Sequence, residues 1–535
     1  MTQLDNTIPQ TVPDMMARAV AANPDAVAIH YEGTTTSFAG LDDRARRIAG
    51  GLKRLGVGAG DRVALWLPSC PAYLALYIAC ARLGAIAVAV NTRYRAVEVA
   101  DIVGRSGAKV LAMWPGFRQI PFADILADID TDALAALETV VLYGENDAAQ
   151  AVSLPGKRIV DYDRFTASEP LADDEATPDT PCNIFATSGT TKAPKFVLHR
   201  QYAIAVHHTE AARNFGMTDP ETVVFNPLPL CGVFGFSLAM TALAAGRPQI
   251  LQAAFDADSA VRQAQQFRAT HMCATDDMIH RMLEAAAEEV PFPSLRFSGY
   301  AAFNTALEDL ADRAEARGVR LIGLWGMSEM LALVARRSDS APPAERHKTA
   351  GQPISANIHA RVRDTETGAL LGPGAAGELE ITGPSRMVCY FENPDATAAA
   401  LTDDGYLRTG DLAVMEEDGG FEFLSRMGDV LRLGGFLVSP LEIESYLQTH
   451  PSINGAQVVE AASERGNRPV AFVTLEPGAD FDADAIVAYC KQGLAAFKVP
   501  VRTVKLDAFP ITESANGMKI QRAKLRSMAQ EIAGG

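Results

Sequence analysis

The chain is 535 residues long, room for two or more domains at roughly 100–200 residues each. Its 48 Lys and Arg against 65 Asp and Glu give a formal charge of -17. This argues against a nucleic-acid-binding surface, because phosphate backbones are held chiefly by cationic side chains, and 48% hydrophobic with 21% charged residues excludes a disordered chain.

The N-terminus, MTQLDNTIPQTVPDMM, lacks a basic start followed by an apolar core, so no signal peptide is expected. Val63 to Ala81 carries no charge, close to the length of a membrane span. Pro68, Ser69 and Pro71 interrupt it, so it reads as a buried strand, a turn and a buried helix of a soluble protein. Seven cysteines (Cys70, Cys80, Cys182, Cys231, Cys273, Cys389, Cys490) form no C-x-x-C pair, which suggests neither a disulfide framework nor a zinc site. A reduced, cytoplasmic setting is expected.

RVALWL, AIAVAV, AKVLAM and TVVLYG read as buried strands, with helical stretches such as EVADIVGRSG among them. That order implies α/β units on largely parallel sheets. Near 360–425, turn residues at short intervals around runs such as GELEITG predict antiparallel sheet. The last hundred residues predict a small α+β unit: helix (PLEIESYLQTH), strand (GAQVVEA), strand (PVAFVTL), helix (DADAIVAYCKQGL), strand (RTVKL). From Lys491 onward eight Lys/Arg less three Asp/Glu leave +5. That balance is either a solvated surface or a complement to an anionic ligand between domains.

The richest segment is Asn183-Ile-Phe-Ala-Thr-Ser-Gly-Thr-Thr-Lys-Ala-Pro-Lys195. An apolar strand runs into hydroxyls, backbone N–H groups and lysines, which suits a polyphosphate, with an ordinary Ser/Thr-rich turn as the alternative for the segment taken alone. It is not a Walker A loop, because no second glycine precedes a Lys-Ser/Thr pair. Trp325-Gly-Met-Ser-Glu329, Tyr406-Leu-Arg-Thr-Gly-Asp411, Arg426-Met-Gly-Asp429 with Arg432 and Gly434-Gly435, and Asn516-Gly-Met-Lys519 follow in order.

This set resembles the adenylate-forming superfamily of acyl-CoA synthetases, peptide-synthetase adenylation domains and luciferases, most closely the acyl-CoA synthetases, from about residue 15 to Arg526. The resemblance implies an α/β fold in two parts. Residues 1–427 would be a large domain of mostly parallel sheets flanked by helices, with a distorted antiparallel barrel region. Residues 428–535 would be a small mobile α+β domain hinged at Gly428. It also implies a two-step ligase: a carboxylate and Mg-ATP give acyl-AMP and pyrophosphate, then the thiol of coenzyme A gives acyl-CoA and AMP. Nine residues follow Arg526, so no fused carrier domain is expected. A stand-alone enzyme loading a separate carrier protein is the alternative, and a homodimer is an open expectation.

Residue by residue, Thr187, Ser188, Gly189, Thr190, Thr191 and Lys195 match the phosphate loop. Lys192 and Phe196 stand where glycine is usual, and Lys192 either meets phosphate or faces solvent. Gly299, Tyr300 and Ala301 match the segment lining the adenine and acyl pockets. Trp325 matches the adenine-stacking aromatic, with a core role as the alternative. Gly326 falls in the same nucleotide-binding motif, Ser328 matches an α-phosphate contact, and Glu329 the magnesium ligand. Asp411 and Arg426 match the ribose motif. Arg432, with Gly434 and Gly435, is expected at the site in the thioester step, and Lys519 matches the lysine bridging carboxylate and α-phosphate. Phe234, Gly235, Phe236, Tyr300, Ala301, Gly323, Met330 and Leu331 are the candidate acyl pocket, mostly apolar, which favours an apolar acid. Cys231 is expected on its wall, and His199 in a structural role.

Overall fold

The computed structural model describes residues 8–144, 152–187, 194–301, 309–364, 367–427, 431–433, 436–438, 440–463, 466–514 and 517–533. Two large sheets dominate. In the eight-stranded one, Pro181–Thr187, Ile86–Ala89, Arg62–Trp66, Val110–Met113, Thr139–Leu142 and Arg158–Asp161 run parallel. Lys195–Arg200 and then Cys389–Tyr390 add antiparallel at one edge. All four of the apolar runs expected as buried strands are in this sheet, with Ala96–Arg105 as the expected helix.

The fourteen-stranded sheet holds parallel strands Leu321–Trp325, Phe297–Ala301, His271–Thr275, Val224–Asn226, Gln249–Leu251 and Val27–Tyr31. Beyond Leu321–Trp325 it turns antiparallel through Ala335–Arg336, Ala350–Pro353, Phe421–Arg426, Leu407–Met415, Ala376–Thr382 and His359–Arg363. The antiparallel region predicted from turn punctuation is thus a continuation of a parallel sheet.

The uncharged stretch resolves into Arg62–Trp66 and the helix Pro71–Leu83, every residue of which is buried. No described helix is long and apolar enough to cross a membrane. At the end of that helix, buried Arg82 is neutralised by Asp42 and Asp174, which offsets the cost of taking the cation out of water.

From Leu431 onward the elements carry their own cores. Ile453–Ala461, Arg468–Leu475 and Arg502–Lys505 form a three-stranded sheet with helices Pro440–Leu447, Ala483–Gly493 and Arg522–Ala533. Leu447, Val458, Val473 and Cys490 fill one core, Phe472, Leu525 and Ala529 another. This is the separate, smaller C-terminal domain. Gly428, the expected pivot, lies outside the described residues.

Candidate active site

In parallel sheets, ligands gather where the strands end, because the loops there are free to diverge. Both sheets obey this at one cavity of about 550 Å³. Ala89 and Thr187 bring the ends of two strands from the eight-stranded sheet, and Thr275, Ala301 and Trp325 bring three from the other. The C-terminal domain closes the remaining side with Arg432, Tyr446, Phe497 and Lys498.

Trp325 ends its strand buried, its ring edge-on to Phe421 and its indole N–H donating to Asp411 Oδ2 at 3.1 Å. Asp411 sits in Leu407–Met415 opposite Arg426, and its own N–H donates to Thr409 Oγ1. Trp325 and Asp411 both line the cavity.

The loop after Trp325 doubles back so tightly that a Cβ on Gly326 would lie 2.6 Å from Ala332 Cα. Leu331, Ala332 and Leu333 are consecutive left-handed residues, with φ of 65°, 50° and 46°. For non-glycine residues that conformation costs about 1 kcal/mol or more each, so the surroundings must impose it. They do so through buried side chains below the loop. His199 Nε2 donates to Ser328 O at 2.8 Å, His207 Nε2 to Ala332 O at 2.9 Å, and Ser237 Oγ to Leu331 O at 2.5 Å. A carbonyl can only accept, so both imidazoles carry their proton on Nε2. Burial lowers both to about 4, which keeps them neutral. His199 thus has the structural role expected of it, against the backbone of a candidate site residue.

Glu329, 8% exposed, accepts a 2.7 Å bond from the Tyr390 hydroxyl on Oε1. Lys195 Nζ lies 4.6 Å from the centre of the same tyrosine ring. Tyr390 reaches both because Cys389–Tyr390 pairs with Lys195–Arg200, placing Tyr390 opposite Val197. No sequence motif pointed to Tyr390, nor to His207 and Ser237.

Arg432 donates its backbone N–H to Glu460 and holds its guanidinium 5.8 Å above the Phe423 ring, at the cavity. Ser188, Gly189, Thr190, Thr191, Lys192, Gly434 and Gly435 lie outside the described residues, as do the side chains of Arg426 and Lys519. The Lys519 backbone pairs with Thr512 in a hairpin.

Of the candidate acyl residues, Phe234, Gly235 and Ala301 line the cavity, and Cys231 joins them as expected. Tyr300, Gly323, Met330 and Leu331 are buried and are not among the lining residues. The Tyr300 hydroxyl is drawn away to His347 O at 2.6 Å. Gly323 backs onto Lys348 O, 1.8 Å from where a Cβ would sit. The left-handed turn brings Ala332 and Leu333 to the wall instead of Met330 and Leu331. Phe236, 1% exposed, packs against Tyr77 and Phe185, while Phe196, at Lys195's flank, is a core residue under the Arg105 guanidinium.

Residues 16–391 match the model of the AMP-binding enzyme family, and residues 442–516 that of the AMP-binding enzyme C-terminal domain. A 3-[(3aS,4S,7aS)-7a-methyl-1,5-dioxo-octahydro-1H-inden-4-yl]propanoyl:CoA ligase of Mycobacterium tuberculosis is 30% identical over 531 residues, covering 97% of this chain and 99% of that protein. The fatty acid–[acyl-carrier-protein] ligase ScoC of Streptomyces coeruleorubidus is 30% identical over 514 residues, covering 94% and 93%. The o-succinylbenzoate CoA synthetase MenE of Bacillus subtilis, 24% identical, superposes over 96% of this chain and 97% of its own. A double mutant of it bound with a product analogue, OSB-NCoA, gives a TM-score of 0.80, whereas its complex with AMP gives 0.65 over 96% and 98%.

Proposed function

The chain belongs to the AMP-binding enzyme family, as an ATP-dependent carboxylate–CoA ligase working through an acyl-adenylate, and we propose that the cavity between its two domains serves both half-reactions. In the first, a carboxylate oxygen attacks the α-phosphorus of ATP, the bond to the β-bridging oxygen breaks, and pyrophosphate leaves. In the second, a thiol sulfur attacks the acyl carbon, the acyl C–O bond to AMP breaks, and the thiol proton passes to solvent. Adenylation is needed because oxide is a poor leaving group and AMP a good one.

The observation that carries this reading is that Trp325 and Asp411 of the large domain and Arg432 of the small one face a single cavity. Asp411 would accept both ribose hydroxyls, as an ionised carboxylate does well, beside Arg426 and with Trp325 nearest the base. Lys195 and the hydroxyls of residues 187–191 would hold the outer phosphates, and Ser328 the α-phosphate. Lys519 would bridge carboxylate and α-phosphate in adenylation, lowering the repulsion between two anions.

Glu329 is the residue that would hold Mg²⁺. One oxygen is oriented by Tyr390, and a single carboxylate plus substrate phosphates is the set this hard cation prefers. Among the described residues no group of three His, Cys, Asp or Glu could hold a metal without the nucleotide. The ion would supply charge neutralisation at the phosphates.

The small domain would turn about Gly428 between the two steps. The closer match of this arrangement to the OSB-NCoA complex than to the AMP complex supports reading it as the thioester-forming state. The apolar wall of Phe185, Val233, Phe234 and Leu324 favours an apolar acid. The test is pyrophosphate release with octanoate, cyclohexanecarboxylate and cinnamate, with acyl-CoA identified by mass. Release without acyl-CoA, answered by transfer to a holo-carrier protein, would favour the carrier acceptor that the likeness to ScoC suggests. No release with any acid would overturn the apolar-acid reading.

A further inference from the structure

Lys498 of the small domain is 4% exposed, and Glu98 of the large domain 6%. Lys498 Nζ lies 2.8 Å from Glu98 Oε1 and 2.5 Å from Glu442 Oε1, and 4.8 Å above the Tyr94 ring. The Ala495 N–H also points at Glu98 Oε1, at 3.4 Å. Glu98 is anchored on its own side, because its Oε2 accepts from Arg95 N at 2.9 Å and so starts the helix Ala96–Arg105. Glu442, by contrast, rides on the small domain with Lys498.

We propose that the Glu98–Lys498 ion pair forms in the thioester-forming arrangement and parts in the adenylating one, making both positioning residues for thiol transfer. The inference rests on the two-step reading above. Buried charges are tolerated only in contact, so a slightly misdocked small domain would leave Glu98 desolvated without its cation. The pair therefore selects one docked geometry. When the domains separate, both groups return to water and Lys498 keeps Glu442, so opening leaves no bare buried charge. A contact of this kind is selective about geometry without holding the enzyme shut. Tyr94, Phe497 and Lys498 also line the cavity, so the same contact shapes the wall past which a thiol must reach the acyl carbon.

Glu98→Gln keeps the shape and the acceptor for Arg95, and Lys498→Met keeps the stem. With octanoate as probe, ATP–pyrophosphate exchange should stay within about twofold in either variant, while transfer from supplied octanoyl-adenylate to CoA should fall about tenfold or more. The double variant should be no worse than the single ones. Hydrogen exchange of segments 96–105 and 494–499 reads the contact without any acid. Both should be protected in the resting enzyme, and both should open in Glu98→Gln. Exchange and transfer falling together, or protection and transfer both unchanged, would overturn the proposal. If the unmodified enzyme processes no octanoate, the choice of acid has failed, and hydrogen exchange alone decides the ion pair.

Discussion

The indole N–H of Trp325 donates to Oδ2 of Asp411 at 3.1 Å, tying the end of a parallel strand to the middle of an antiparallel one. A buried bond to a charged acceptor contributes about 1.5–3 kcal/mol, and here it also fixes the direction of the carboxylate. Trp325→Phe retains an aromatic ring beside Phe421 but removes the donor. KM for ATP should rise about tenfold with a smaller change in kcat, measured at saturating acid and thiol. An unchanged KM would show that the indole does not orient Asp411 for the nucleotide.

Tyr390 connects Glu329 to Lys195, so its removal should weaken cation binding without abolishing it. Glu329→Gln should raise the Mg²⁺ requirement strongly, and Tyr390→Phe by a smaller factor, about three- to tenfold. A magnesium titration of turnover for the three proteins checks the order. Identical titrations for Glu329→Gln and the unmodified chain would remove Glu329 as the ligand.

His199 and His207 give a pH dependence with a definite sign. Folded, both are lowered to about 4 by burial; unfolded, each returns to 6.5. The unfolded chain therefore takes up protons first as the pH falls. Their stabilisation is complete above 6.5 and declines down to about 4. At pH 5 the loss is about 2 kcal/mol per histidine as an upper bound. Chemical denaturation at pH 7.5 and 5.0 should show this loss, to which buried His208 and His271 add in the same direction, and His207→Gln should lose less by the share of one histidine, about 2 kcal/mol. Equal slopes in the two proteins would contradict a neutral, buried His207.

Lys519→Ala isolates the first half-reaction. Pyrophosphate exchange should fall by about 10² or more, the usual consequence of removing one preorganised electrostatic stabiliser, while transfer from supplied acyl-adenylate survives. Equal losses in both steps would refute the assignment.

Four of the six parallel strands of the smaller sheet were legible because continuous apolar runs have few other homes, and the helices between some of them implied parallel pairing. The join between the parallel and antiparallel strands was not. It depends on Ala335–Arg336 and Ala350–Pro353, too short and too polar to announce themselves. Around the site, Lys195, Trp325, Glu329 and Asp411 sit in recognisable motifs. His207 and Ser237 bond to backbone carbonyls, which leave no trace in residue type, and Tyr390 arrives by strand pairing. Met330 and Leu331 look like pocket residues by position, yet three left-handed residues in a row bring Ala332 and Leu333 to the cavity wall in their place. Glu98 and Lys498 are 400 positions apart, so only docking could join them.

Cys231 stands on the cavity wall, and burial pushes its thiol up to about 12. At neutral pH roughly one molecule in 10⁵ would carry the thiolate there, too few for disulfide exchange to compete. Cys70, Cys182 and Cys490 are pushed up to about 12 in the same way, and Cys80, Cys273 and Cys389 are raised as well. A thiol substrate thus meets a cavity whose own cysteine is held as the thiol, so oxidised coenzyme A should not form a mixed disulfide at Cys231.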